Sequence, residues 1–432
     1  MGKKMPVSIA IFLIACAAFI SFQITYTHIQ NKYAEVIYDI TSTSSAFSKI
    51  NSIDSIVRKN YVGDINEDEL EHGLIQGYLF GLGDKYATYM DPEEYASYVS
   101  KNNGKQVGIG ITVIYDNTMG GMYITNVTKD SPAMNAGLTA GDIIISVDGQ
   151  TIAERGYYNT ISYIGSGNEG EALTLTVEKG PDYHQQTEVA LVRAVVKTYT
   201  VSYELYRDNV GYVEISGFNK VTPTEFVAAM NDLKSKGATS YIFDVRNNSG
   251  GDLEGIKGVL DFLLPEGPII RIVSKDGSEQ VLSSDAGCVE APMAVLINGN
   301  TASAAELFAS ALRDYGKAKL IGTKSYGKGT MQTMMRLTDN SALSISTQMY
   351  NPPYSENYEG KGIVPDIELD LTEEQYSGFH LLTLDEDPQL QAAYGTLGFE
   401  TEPETETETE TEETADQNGT ETTNPESGET QE

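Results

Sequence analysis

Ser303 and Lys328 stand 25 positions apart in "NGNTASAAELFASALRDYGKAKLIGTKSYGKGTMQ", Asn298 to Gln332, within a chain of 432 residues. A serine hydroxyl becomes a nucleophile when a neighbouring base takes its proton. Lysine can be that base if burial holds its amine neutral. That requires a fall of about three units from its ordinary pKa, within the range reached by desolvated lysines. Met331, Met334 and Met335 are apolar neighbours able to dry such a pocket. Two other readings compete. "SAAE", Ser303 to Glu306, fits a capping box, so Ser303 can be a helix cap and nothing more. "GTKSYGKGT" has the spacing of a phosphate loop, but Gly329 stands where a Mg²⁺-binding Ser or Thr belongs.

The surrounding pattern favours chemistry. A strand, "MAVLING", leads into Ser303, and the helix "AAELFASALRDYG" follows it up to Gly316. A helix start after a strand favours an anion, which aims the N–H of Ala304 at a developing oxyanion. A helix of about 12 residues runs roughly 18 Å away. The strand "AKLIGT" of about six residues returns roughly 20 Å, so the chain comes back beside Ser303 where Lys328 appears. Gly327 and Gly329 flank this lysine and permit close backbone approach. The chain's four histidines, His28, His72, His184 and His380, lie outside this segment, which argues against a Ser–His triad. "FDVRNNSGGD" ends a strand in a turn at Gly250 and Gly251, either an ordinary glycine turn or the source of a second oxyanion donor.

These segments belong to an α/β core. From Lys197 onward, strands ("VGYVEI", "SYIFDV", "MAVLING", "AKLIGT") alternate with helices, a pattern of partly parallel strands. The hairpin "MQTMMRL"/"ALSISTQMY" follows. Val107 to Arg193 reads instead as a small module of short β runs broken by Gly, Asn and Asp. Ser44 to Lys101 reads as helical, with "DELEHGLIQGYLFGL" ended at Gly83 and a second helix opening at Pro92.

Both termini differ from this body. Lys3 and Lys4 precede an uncharged apolar run from about Pro6 to Ile24, long for a signal-peptide core and near the lower limit for a spanning helix. A single-pass anchor with a cytoplasmic start and an extracytoplasmic body is expected. Lipoprotein processing at Cys16, within "LIAC", is the second reading. Residues 400–432 carry 13 acidic side chains and no Lys or Arg, so a disordered, self-repelling tail is expected. The net charge of −33 excludes a nucleic-acid partner, which needs a basic face. Cys16 and Cys288 form no disulfide framework, and Cys288 reads as filler rather than a thiol nucleophile. No metal cluster or cofactor fingerprint is present, and none is expected.

The ordered motifs resemble the carboxyl-terminal processing peptidases, or tail-specific proteases, over roughly Ser44 to Gln391. "GLGDKYATYM" resembles the family's Gly-Asp-Pro-Tyr segment, with Lys85 for the usual proline. "SPAMNAGLTAGDIIISVDGQ" resembles its PDZ module, and "DVRNNSGGDL" its strand-turn, with Ser249 for proline. "TASAAE", "GKGTMQ", "GKGIVPDIEL" and "DPQLQAA" complete the series. The resemblance implies Ser303 as nucleophile, Lys328 as general base and Gln332 as the group orienting that lysine. In an extended strand Lys328 and Gln332 would be about 13 Å apart, so a turn near Gly329 is expected. Ala304 and Gly250 map onto the oxyanion pair. The PDZ module implies capture of a protein or peptide C-terminus, with Ile109, Gly110 and Ile111 as the carboxylate cradle and control over access to the active site. Self-association as a homodimer is a further implication.

The expected architecture is therefore α+β and multidomain. It has an anchor at 1–30, a helical region at 44–104, a PDZ domain at 105–195 and a Ser/Lys peptidase core at 196–384. A closing segment at 385–399 and an acidic tail at 400–432 follow. The expected activity is extracytoplasmic serine endopeptidase cleavage near substrate C-termini, the alternative being an inactive PDZ adaptor of the same fold.

Overall fold

The computed structural model describes residues 44–116, 119–180, 185–379 and 382–399, together with positions 21 and 23. Apart from those two positions the expected anchor lies outside the described residues, as does the acidic tail. Among the described residues no helix is long and apolar enough to cross a membrane.

The chain divides into two compact units, Met1–Gly83 and Asp84–Glu432. In the first, α1 (Ser44–Asn60) and α2 (Glu67–Gly81) are joined by Arg58, whose guanidinium meets Asp54 and Glu67. Asn66 caps α2 by accepting from the Glu69 N–H at 3.3 Å. Phe47 stacks on Tyr78.

The second unit opens with β1 (Thr88–Met90), α3 (Pro92–Asn102) and β2 (Lys105–Gly108). The PDZ module follows: β3 (Ile111–Asp116), β4 (Gly121–Val127), α4 (Pro132–Asn135), β5 (Ile143–Val147), β6 (Gln150–Thr151), α5 (Ile152–Arg155), α6 (Tyr157–Ser166), β7 (Ala172–Glu178) and β8 (Gln186–Val192). Its strands form an antiparallel sheet in the order β3-β4-β5-β7-β8, with β6 paired to β5. Met122 and Ile124 of β4 and Leu175 and Val177 of β7 alternate inward, and Ile144 and Val147 of β5 join them across a register shift to make its own core. The chain leaves through β9 (Ala194–Lys197), which pairs antiparallel with β2 as a two-stranded neck. "VGIGITV" is thus two elements, because Val107 and Gly108 pair with Val195 and Ala194 rather than with the PDZ sheet.

The core comprises β10 (Val201–Leu205), β11 (Val210–Ile215), α7 (Thr222–Ser235), β12 (Ser240–Asp244), α8 (Leu253–Leu263), β13 (Gly267–Ser274), β14 (Glu279–Ser284), β15 (Met293–Ile297), α9 (Ala304–Asp314) and β16 (Ala318–Gly322). It ends with β17 (Thr330–Arg336), β18 (Ala342–Asn351), β19 (Ile367–Glu368), α10 (Glu373–Ser377) and α11 (Pro388–Thr396). One sheet runs β10-β11-β12-β15-β16-β19, parallel from β11 to β19. Residues of β12 and β15 are buried throughout, as expected of parallel strands covered on both faces. Phe243, Val295 and Leu320 turn to α7, α8 and α9; Ile242, Ala294, Leu296 and Ile321 turn to Leu390, Ala393 and Tyr394 of α11. An antiparallel sheet, β1-β18-β13-β14 with β17 also on β18, stands beside it.

A buried ion cluster ties α11 to the end of β12. Arg246 meets Asp244 at 2.6 Å and Asp387 at 2.8 Å and donates to Gln389. Burial opposes its charge, yet the two carboxylates hold its pKa above the ordinary value. The loop 247–251 therefore starts from a fixed point.

Candidate active site

The carboxyl ends of β12, β15 and β16 release three loops that interlock. Ala302 N–H donates to Asn248 O at 2.9 Å, Thr301 Oγ1 to Val245 O at 2.8 Å, and Tyr326 N–H to Thr301 O at 3.0 Å. Asn247 and Asn298 exchange side-chain and backbone bonds at 2.9 and 3.0 Å. Strand ends of this kind gather ligand sites in α/β sheets. Here they border a cleft of about 950 Å³ lined by Ser303, Ala304, Gly250, Lys328, Gln332 and Tyr86, among others.

Ser303 precedes α9 with φ 56° and ψ −120°. This is a left-handed setting that costs a side-chain-bearing residue about 1–3 kcal/mol and persists only where neighbours hold it. Glu306 does the holding. Its carboxylate, fully buried, accepts from the N–H of Ser303 at 2.9 Å, of Lys328 at 2.8 Å and of Gly327 at 2.7 Å, and from Ser325 Oγ at 2.6 Å. One side chain thus fixes the backbone of both candidate residues. The capping-box reading located Glu306 but not this second duty.

Lys328 lies in the irregular stretch between β16 and β17 and is half-buried. Burial pushes its amine below the ordinary lysine value, against the pull of Glu359, Asp84 and Glu306. Its Nζ lies 4.6 Å from the centre of the Tyr86 ring. Tyr350, buried beneath, donates to Lys328 O at 2.6 Å, and Tyr358 donates to Ser303 O at 3.3 Å. Burial raises both phenols well above their ordinary range, while the nearby Ser303 hydroxyl pulls Tyr350 the other way. Both therefore stay protonated donors. Met331 and Met334 line the cleft, but Met335 is 36 % exposed and contributes nothing to drying it. The aromatic rings do more.

Gln332 is placed differently from the expectation. Its Nε2 donates to Ser346 Oγ at 3.1 Å and reaches Thr330 at 3.4 Å; no hydrogen bond joins Gln332 to Lys328. Irregular backbone with Gly327 at φ 91° precedes β17, and a register shift between Met331 and Gln332 against β18 follows. Glycine at 329 also leaves room: a Cβ there would lie 2.5 Å from Asn357 Oδ1. Ser346 is held by Asp84, which accepts from its N–H at 2.8 Å and its hydroxyl at 3.0 Å. Asp84 and Tyr86, from a segment more than 200 residues upstream, are thus part of the site. Their signal was the Gly-Asp motif; Tyr350 and Tyr358 gave none.

Gly250 approaches Ser303 closely. A Cβ added there would lie 2.7 Å from Ser303 Cβ and 2.9 Å from Ala304 N, at φ 102°. A side chain at 250 would thus collide with the backbone of Ala302 and Ala304, the residues flanking Ser303. Gly250→Ala is therefore expected to lower kcat by about 10²-fold or more, checked by steady-state cleavage with near-UV circular dichroism to monitor the fold. The Gly250 N–H itself donates to Asn248 Oδ1 at 2.8 Å. Ile109, Gly110 and Ile111 lie in a separate PDZ groove of about 290 Å³, with Val113, Ile161 and Ile164. Ile109 is buried, and Gly110 O accepts from the Thr128 N–H. Cys288 donates to Glu290 Oε1 at 3.0 Å, which raises the thiol's pKa and disfavours thiolate.

Comparison with known proteins agrees with this architecture. Residues 209–369 match peptidase family S41, 123–179 match a PDZ domain, and 13–94 match the N-terminal domain of the activating protease CtpB. A carboxy-terminal-processing protease of Bartonella bacilliformis is 33 % identical over 85 % of this chain and 83 % of its own. Carboxy-terminal processing protease CtpA of Bacillus subtilis is 30 % identical over 76 % of this chain and 70 % of its own. A solved structure from Bacteroides fragilis assigned to the S41 proteases shares the fold, with TM-score 0.53 and 18 % identity over 80 % of this chain and 97 % of that one. On this likeness along most of its length, the chain belongs to the carboxy-terminal processing proteases of peptidase family S41, serine peptidases.

Proposed function

We propose that this protein is a Ser/Lys endopeptidase that cleaves extracytoplasmic proteins near their C-termini. The observation that carries the reading is the pairing at Glu306: Ser303 and Lys328 line one cleft, and one buried carboxylate anchors both backbones.

In the proposed reaction the neutral Lys328 amine accepts the proton of Ser303 Oγ as that oxygen attacks the peptide carbonyl carbon. The Ala304 N–H receives the oxyanion. Gly250 supplies a second donor once its N–H leaves Asn248. Collapse breaks the C–N bond, and the Lys328 ammonium returns its proton to the departing amine. Water, deprotonated by Lys328, then hydrolyses the acyl-enzyme. Lys328 has to move from the Tyr86 ring toward Ser303 for the first step, and Gln332 has to turn from Ser346 to orient it. The structure is thus read as a resting arrangement that substrate converts.

The PDZ groove takes the substrate's C-terminus as an added strand, with the carboxylate near Ile109, Gly110 and Ile111. Its apolar wall suits an apolar terminal side chain. The β2–β9 neck is the element through which occupancy reaches the cleft. The N-terminal run serves as the membrane anchor. Phe47, Ile53, Ile56 and Phe80, each at least 50 % exposed on α1 and α2, offer an apolar face for a second copy.

Ser303→Ala is expected to abolish cleavage of an unstructured polypeptide while leaving the thermal transition in place. Mass spectrometry of new C-termini reads the result, and cleavage at the wild-type rate would refute the role of Ser303.

A further inference from the structure

A second lysine shares the ring on which Lys328 rests. Lys85 Nζ lies 4.7 Å from the Tyr86 ring centre and Lys328 Nζ 4.6 Å. The two amines are therefore within about 9 Å of each other, close enough for each to feel the other's charge. Lys85 has further neighbours on this side of the cleft. Its amine also lies 5.4 Å from the Tyr326 ring and 3.9 Å from Glu359 Oε1, while the other oxygen of Glu359 accepts from the Gly329 N–H at 2.7 Å. Its backbone is bracketed by Asp84, bonded to Ser346, and by the Tyr86 N–H, which donates back to Asp84 at 3.0 Å.

The charges around Lys328 divide unequally. Glu359 from the loop after β18, Asp84 from the segment before β1 and Glu306 from α9 all favour its ammonium form, as does the face of the Tyr86 ring. Lys85 is the charged neighbour that opposes it. A ring that already holds one cation attracts a second less strongly, and an adjacent cation is one of the two ways a lysine becomes a base near neutrality. Burial disfavours the Lys328 ammonium most; three carboxylates and an aromatic face pull the other way, and Lys85 acts on the side of burial.

We propose that Lys85 is a positioning residue for the charge on Lys328: its ammonium, beside the shared Tyr86 ring, disfavours a second cation there and helps keep Lys328 available to accept a proton. This rests on the reading of Lys328 as the base. The plain alternative is a surface ion pair between Lys85 and Glu359. The Lys85 side chain is 56 % exposed, and such pairs contribute little.

The two are separated by reading the amine directly, in full-length Ser303→Ala protein so that turnover plays no part. The pH dependence of trace acetylation at Lys328, followed by peptide mass spectrometry, is compared for Lys85, Lys85→Gln and Lys85→Arg. Lys85→Gln is expected to raise the Lys328 midpoint by about half to one pH unit. Lys85→Arg leaves it in place, and 1 M salt narrows the gap. A Lys85→Gln midpoint equal to that of the parent overturns the proposal, as does an equal shift in the Gln and Arg variants, which marks a structural effect. Failure of the Ser/Lys reading itself shows elsewhere, as cleavage that survives Lys328→Ala in otherwise native protein.

Discussion

Lys328→Met is expected to lower peptide-bond cleavage on the order of 10⁴-fold or more and, at the same time, to raise the melting temperature. The first effect follows from removing the base of the proposed mechanism, where members of such a unit fail together. The second follows from the direction of the lysine's pKa. Burial holds the folded value below the unfolded one near 10.5. The native state therefore carries an unfavourable buried charge at every pH below the folded value. That penalty fades as pH rises toward the unfolded value, where the amine is neutral in both states. The gain in melting temperature should accordingly be larger at pH 7 than above pH 10.5. A purely structural lysine would show the reverse, with loss of its contacts lowering the transition. Scanning calorimetry at the two pH values, beside a cleavage assay, tests both halves.

Glu306→Gln is expected to cost about 10²–10³-fold in kcat and to lower the urea midpoint. The carboxylate satisfies four donors with two oxygens. An amide offers one acceptor oxygen and sets an NH₂ group against N–H groups, leaving buried donors unmet at about 1–3 kcal/mol each. Ser303 would then be free to relax from φ 56°, and the loop carrying Lys328 would lose its tie to α9. Ser303→Ala, which leaves the Glu306 bonds intact, should lose activity without that fall in midpoint. Chemical denaturation of the two variants in parallel separates anchoring from chemistry.

How much of this was readable in advance differs from residue to residue. The approach of Lys328 to Ser303 followed from length alone, since α9 and β16 run out and back over similar distances. The alternating core strands and the hairpin were legible for the same reason: their signals are local and periodic. Glu306 was visible as a helix-start residue, but its bonds to Gly327 and Lys328 span more than 20 positions, and no local pattern encodes them. Asp84 and Tyr86 stood in a recognisable motif whose purpose appears only when β1 pairs with β18. Nothing in their local sequence sets Tyr350 and Tyr358 apart from other tyrosines. The orientation of Gln332 depends on a register shift in a pair of strands, which spacing does not reveal. Likewise, the split of "VGIGITV" between neck and PDZ sheet depends on β9, some 90 residues onward.

The central claim is that a neutral Lys328 activates Ser303. It is tested most directly by the pH dependence of covalent labelling by a serine-acylating probe, with the modified residue located by mass spectrometry. The account predicts labelling at Ser303 whose rate rises through a single ionisation below the ordinary lysine value, and no such labelling in Lys328→Ala. Labelling of Ser303 in Lys328→Ala at the wild-type rate would contradict it.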